Sequence, residues 1–188
     1  MKKLWLLGLL VGLGNTWATA ADTFTIDSAY APAHFDIARV GFSAQRGRFD
    51  KTQGVVTLDL ARRLGSVDFT VFTQSINMGS AAWTAHLSDE GLFNVAKYPT
   101  MHYRSERFIF DGDKVVAADG QFTMLGVTKP LRVIVQNFQC GPNPVDQRYM
   151  CSGNITATLK RSDFGLTKYI PVVSDEVSIN VPLDAYKN

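Results

Sequence analysis

The run His86-Leu87-Ser88-Asp89-Glu90 gathers a base, a hydroxyl and two carboxylates in one short stretch. That is the equipment of acyl transfer, with His86 as base, Asp89 or Glu90 orienting it and Ser88 as nucleophile. The proximity is only sequential, and the usual accompaniments are missing. There is no G-x-S-x-G elbow, no H-x-x-x-H metal pair and no carboxylate pair spaced to frame a cavity. Hydrolysis of a lipid or glycan is therefore the lesser reading, and no catalytic site, metal or cofactor is expected. The other reactive pair is Cys140 and Cys151, the only cysteines, separated by the turn-rich GPNPVDQRYM. His34, His86 and His102 show no close spacing with them, so a metal site lacks ligands. In an oxidising compartment the pair reads as a disulfide that clips two neighbouring strands at the base of a hairpin.

The N-terminus points to such a compartment. Lys2 and Lys3 precede the apolar run LWLLGLLVGLG, and Ala18-Thr19-Ala20 offers small residues for cleavage, the pattern of an export signal. The run is about half of the roughly 20 apolar residues that a spanning helix needs. Residues 1–20 are expected to be removed, leaving residues 21–188 as one soluble domain in the periplasm. No cysteine stands near the cut to carry a lipid. The whole chain has 19 basic and 17 acidic residues, and the leader takes two lysines with it, leaving 17 against 17. A neutral mature chain has no basic footprint for nucleic acid.

The elements that must position these side chains are mostly strands. Apolar residues alternate at Val67, Phe69 and Val71, at Met101 and Tyr103, at Leu131, Val133 and Val135, at Ile155, Ala157 and Leu159, and at Val177, Ile179 and Val181. Each run reads as a half-buried strand. Turns are expected at Gly65-Ser66, at Asp111-Gly112-Asp113 and across Gly126 to Pro130. One stretch, Ser80 to Asn94, reads as a short helical excursion covering an end of the sheet. Many antiparallel strands with one helix suggest a closed barrel, since closure removes exposed edges. A barrel of about eight strands either fills its interior with side chains or holds one apolar ligand. Phe42, Phe69, Phe93, Met101, Tyr103, Phe122, Met124 and Phe164 supply the inward inventory, and pattern alone favours a packed core.

A resemblance shifts that balance. Gly120 to Pro130, GQFTMLGVTKP, resembles the G-D-L-T-x-x-G-V-T-K-P signature of the YceI-like polyisoprenoid-binding family. Ala85-His86-Leu87, then Phe93, then Lys97-Tyr98-Pro99 resembles that family's His-Leu, Phe, Lys-Tyr-Pro segment. Val40-Gly41-Phe42 with Gly47-Arg48-Phe49, Arg161-Ser162-Asp163-Phe164-Gly165 and Asp175-Glu176-Val177 resemble three further segments, in order along the chain. The resemblance implies an extended, lipocalin-like antiparallel β-barrel whose interior holds an isoprenoid chain such as that of a respiratory quinone. It implies cavity lining for the aromatic inventory, with Phe122 and Met124 facing the tunnel. It also brings a membrane surface, or a membrane cytochrome of the b561 type, as a candidate partner. A filled barrel with a structural or stress role is the alternative.

The chain departs from the pattern at a few polar positions. Trp83 and Thr84 stand where the family commonly has an Arg-Asp pair, Arg39 where it has a histidine, and Gln121 where it has an acid. Arg39, Trp83, His86, Tyr98 and Tyr103 are the candidates for contacts at the head-group end.

Overall fold

Alternating side chains need a closed surface with an inside and an outside, and the chain builds one. The computed structural model describes residues 21–188, so the export segment expected at 1–20 lies outside the described residues. The strands are β1 (Asp22–Ile26), β2 (Ala33–Arg39), β3 (Phe42–Phe49), β4 (Thr52–Asp59), β5 (Leu64–Phe72) and β6 (Ile76–Asn77). After the helix α1 (Ala81–Ser88) come β7 (Thr100–Asp111), β8 (Lys114–Met124), β9 (Val127–Pro142), β10 (Tyr149–Lys160) and β11 (Val173–Lys187).

Strands β4, β5, β7, β8, β9, β10 and β11 form one antiparallel ladder, and β1 closes it by pairing with both β4 and β11. The result is a closed barrel of eight strands with one short helix, as the sequence led us to expect. Strand β11 divides its outer edge between two partners. Its start, Val173 to Asn180, pairs with β2, and its end, Ala185 to Lys187, pairs with β1. Pro182 lies between these two stretches, where a missing N–H breaks no ladder on that side. Beyond β2, strands β3 and β6 continue the sheet outward and bring α1 to that end of the barrel.

Register puts the expected residues in rows. Phe69 on β5, Tyr103 on β7 and Phe122 on β8 are successive cross-strand partners. Because strand side chains alternate strictly, one row of partners faces one side. The Cys140–Cys151 disulfide joins directly opposed residues of β9 and β10, as expected.

Three local expectations need correction. Gly65-Ser66 is not a turn but lies within β5, opposite Leu58 and Thr57 of β4. A side chain on Gly65 would put its Cβ 2.3 Å from the Phe108 ring, so this glycine answers a close approach rather than a bend. The break after Met124 is shorter than Gly126 to Pro130. Leu125 and Gly126 alone make the turn, with φ of 52° and 76°, and Val127 to Pro130 already belong to β9. Two positive φ values in a two-residue hairpin match the right-handed twist of the flanking strands. Finally, the helix ends at Ser88, and the segment from Asp89 to Pro99 runs as turns.

Candidate functional site

The barrel encloses a cavity of 680 Å³. At its deep end, near β1 and the disulfide, the walls are Phe24, Leu58, Phe108, Val115, Phe138 and Ala185. Farther along lie Phe69, Met101, Tyr103, Phe122 and Met124, then Phe35, Phe49, Leu87, Leu92 and Phe93. Phe93 meets Phe49 edge-on at 5.3 Å and Phe35 at 6.4 Å. The solvent-exposed lining residues are Ala82, Trp83, His86, Lys168 and Tyr169, all on α1 or the loop before β11. The cavity therefore opens there.

The depth is apolar and the mouth is polar. At the mouth the Arg39 guanidinium carbon lies 5.9 Å from the centre of the Trp83 ring. Trp83 and His86 are three residues apart on α1 and share a helix face. The Tyr169 hydroxyl is 3.2 Å from His86 Nε2, and Lys168 Nζ stands 5.1 Å from the Tyr169 ring.

This loop is held from beneath by Arg161, which is 4% exposed. Its guanidinium donates to the carbonyls of Leu166, Lys168 and Ser174 at 2.8 Å each and to that of Val173 at 3.0 Å. Burial lowers its pKa from the usual arginine value, opposed by the nearby charge of Asp175. Asp175 accepts from the Ser162 hydroxyl at 2.7 Å and from the Ser162 N–H at 2.8 Å, tying the start of β11 to the turn at residues 161–164.

Space of this size has an energetic consequence. An unoccupied apolar space of 680 Å³ forgoes the packing contacts that a filled core would make. Apolar walls also give water few hydrogen-bond partners. The chemistry of the cavity is that of a receptacle for a long apolar group entering beside α1.

Residues 24–185 match the YceI-like domain. This chain belongs to the YceI-like family. A UPF0312 protein of Vibrio cholerae serotype O1 is 28% identical over 169 residues, covering 88% of each chain. Among solved structures, Burkholderia cenocepacia BcnA has a TM-score of 0.70 at 22% identity, covering 85% of this chain and 98% of that one. A polyisoprenoid binding domain from Saccharophagus degradans, described as implicated in plant cell wall breakdown, has a TM-score of 0.65 at 17% identity. It covers 88% of this chain and 98% of that one. The last two comparisons show a shared fold.

Within this YceI-like barrel, Phe69, His86, Phe93, Met101, Tyr103, Phe122 and Met124 line the cavity. Three residues singled out with them do not. Phe42 is 73% exposed, because it lies just past the β2–β3 turn, beyond a register shift and out of parity with the inward-facing Gln45 and Phe49. Tyr98 packs beside the Gly126 turn, in a segment without strand alternation. Phe164 is buried behind the wall, edge-on to Phe122 at 5.6 Å.

Tyr103 is no head-group contact either, since its buried hydroxyl donates to the Ala118 and Leu131 carbonyls at 2.9 and 3.3 Å. Burial pushes its phenol up to about 12. Among the departures from the family pattern, Arg39 and Trp83 meet at the mouth, whereas Thr84 accepts from the Met78 N–H and Gln121 faces outward, exposed. The possible triad does not assemble. Ser88 donates to the Thr84 carbonyl at 2.8 Å, and Asp89 is 4.0 Å from His86 Nδ1. Arg161, Lys168 and Tyr169 escaped the sequence reading; the one signal was Arg161, in the Arg-Ser-Asp-Phe-Gly segment.

Proposed function

We propose that this protein is an exported, periplasmic binding protein that holds the tail of a long-chain polyisoprenoid, such as an isoprenoid quinone, in the barrel cavity. It acts as a carrier or store and catalyses no reaction. The observation that carries this reading is the cavity of 680 Å³, predominantly apolar and open where α1 and the loop before β11 bring exposed polar groups. Its volume falls in the range of about 300–1,000 Å³ typical of small-molecule sites. The family membership and the polyisoprenoid binding domain among similar folds support the ligand class. The cavity also weighs against a filled barrel, whose interior would be close-packed.

Lipid exchange needs access to a bilayer, and the mouth is suited to it. Val40, Phe42, Trp83, Tyr169 and Val172 are 43% to 73% exposed. They gather around the opening: the Val40 N–H donates to the Val172 carbonyl at 3.0 Å, and Arg39 lies over both Phe42 and Trp83. This rim rests transiently on the membrane while the tail passes. Each methylene leaving water gains about 0.8 kcal/mol, but a bilayer offers the tail the same gain, so selectivity rests on cavity shape and on the mouth.

The test is uptake. Protein stripped of lipid and offered radiolabelled geranylgeraniol should retain a stoichiometric amount through gel filtration. Folded protein that retains none would contradict the proposal.

A further inference from the structure

The charged side chains that line the mouth are cations. Arg39 and Lys168 line it as cations, while no aspartate or glutamate lines the cavity. Among the described residues neither cation makes an ion pair, although arginines elsewhere on the barrel, such as Arg46 and Arg132, are matched with carboxylates. Among the described residues, the Arg39 guanidinium donates to the Ser43 carbonyl alone, 3.4 Å from its Nε, a long contact. Arg161 is not available, because its guanidinium is engaged by loop carbonyls. Asp89 lies 4.0 Å from His86 Nδ1 and is largely exposed, and Lys168 Nζ packs against Gly91, the neighbour of Glu90, without an ion pair to either acid.

The arc from Arg39 through Trp83, His86 and Tyr169 to Lys168 is continuous, by the contacts given above. Two cations without carboxylate partners therefore stand at the end of an apolar cavity, with the Tyr169–His86 hydrogen bond between them. We infer that the mouth recognises an oxyanion head, a phosphate or a carboxylate, on the lipid whose tail fills the barrel. The inference rests on the binding function proposed above and narrows its ligand from neutral quinone-type lipids to acidic ones. Cations that meet an oxyanion make charge-assisted hydrogen bonds, and a neutral head leaves them unmatched. Arg39 and Trp83, both departures from the family pattern, meet in this arc.

The experiment compares two probes with one tail, geranylgeraniol and geranylgeranyl phosphate, bound to delipidated full-length protein as recovered after export. A charge-assisted hydrogen bond contributes about 1.5–3 kcal/mol, so the phosphate is expected to bind at least about tenfold tighter. The preference should shrink as salt is raised. In Arg39→Gln/Lys168→Gln the ratio of the two affinities should fall to near unity, while Arg39→Lys, which keeps the charge, should retain most of it. Inorganic phosphate alone should not displace geranylgeranyl phosphate; displacement would mean a free-anion site and overturn the lipid assignment. Equal binding of both probes by the unaltered protein, or a preference that survives the double substitution, would overturn the oxyanion head while leaving the lipid-binding function standing. Failure of both probes to bind would overturn the two together.

Discussion

Ala157 shows how much function one side chain can decide. It lines the cavity from β10, opposite Ile179 of β11, and its small size leaves room for a tail. Ala157→Phe fills that room without adding charge. We expect it to fold with an unchanged or higher Tm and to lose most geranylgeraniol uptake; undiminished uptake would show that the tail does not pass β10. Gly65 makes the opposite case, because there the space is already taken. Gly65→Ala would press a methyl into the Phe108 ring, 2.3 Å away, and overpacking of this kind costs roughly 1–3 kcal/mol. Denaturant unfolding should show that loss, and an unchanged midpoint would mean that Phe108 yields freely into the cavity.

At the scale of elements, the mouth depends on the loop that Arg161 and Asp175 fix. The Ser162 hydroxyl and N–H, with smaller help from Arg161 and Lys160, hold the Asp175 carboxyl below its ordinary value of 3.8. A depressed carboxyl stabilises the fold fully above its unfolded value, and that contribution is lost as pH falls through the folded value. Asp175→Asn should therefore lower Tm at neutral pH, with the gap from the unaltered protein closing as the pH drops below 3.8. Parallel Tm profiles would show that this carboxylate does not anchor the loop. At the other end, the Cys140–Cys151 link closes a short loop between β9 and β10. Its reduction should cost roughly 2–3 kcal/mol by the chain-entropy account, read as a lower denaturant midpoint in dithiothreitol.

These elements also mark how far the sequence is legible. Phe69, Met101, Tyr103, Phe122 and Met124 were found because strand parity alone assigns them a face. Phe42 fails the same rule because it stands at the β2–β3 turn, past a register shift and out of parity with Gln45 and Phe49, the residues of β3 that face inward. Tyr98 and Phe164 sit on turns, where no period exists. Lys168 and Tyr169 were invisible because their position is set by hydrogen bonds from Arg161 to backbone carbonyls, which no spacing announces. The turn at Leu125-Gly126 was legible in its glycine and misjudged in its length, since Pro130 is tolerated inside β9.

For the molecule as a whole, closure and cavity are one property. Because β1 joins β4 to β11, the sheet has an inside, and because β2 takes over the edge of β11 toward the other end, β3, β6 and α1 are carried to the mouth. A packed core would have stabilised such a barrel more than a space of 680 Å³ does, and in the function proposed above the lipid tail completes that core. The measurement that reaches this claim most directly is mass spectrometry of an organic extract of the protein, purified from the exported fraction without detergent. A polyisoprenoid lipid in stoichiometric amount is expected. An extract without lipid, from folded and disulfide-bonded protein, would contradict it.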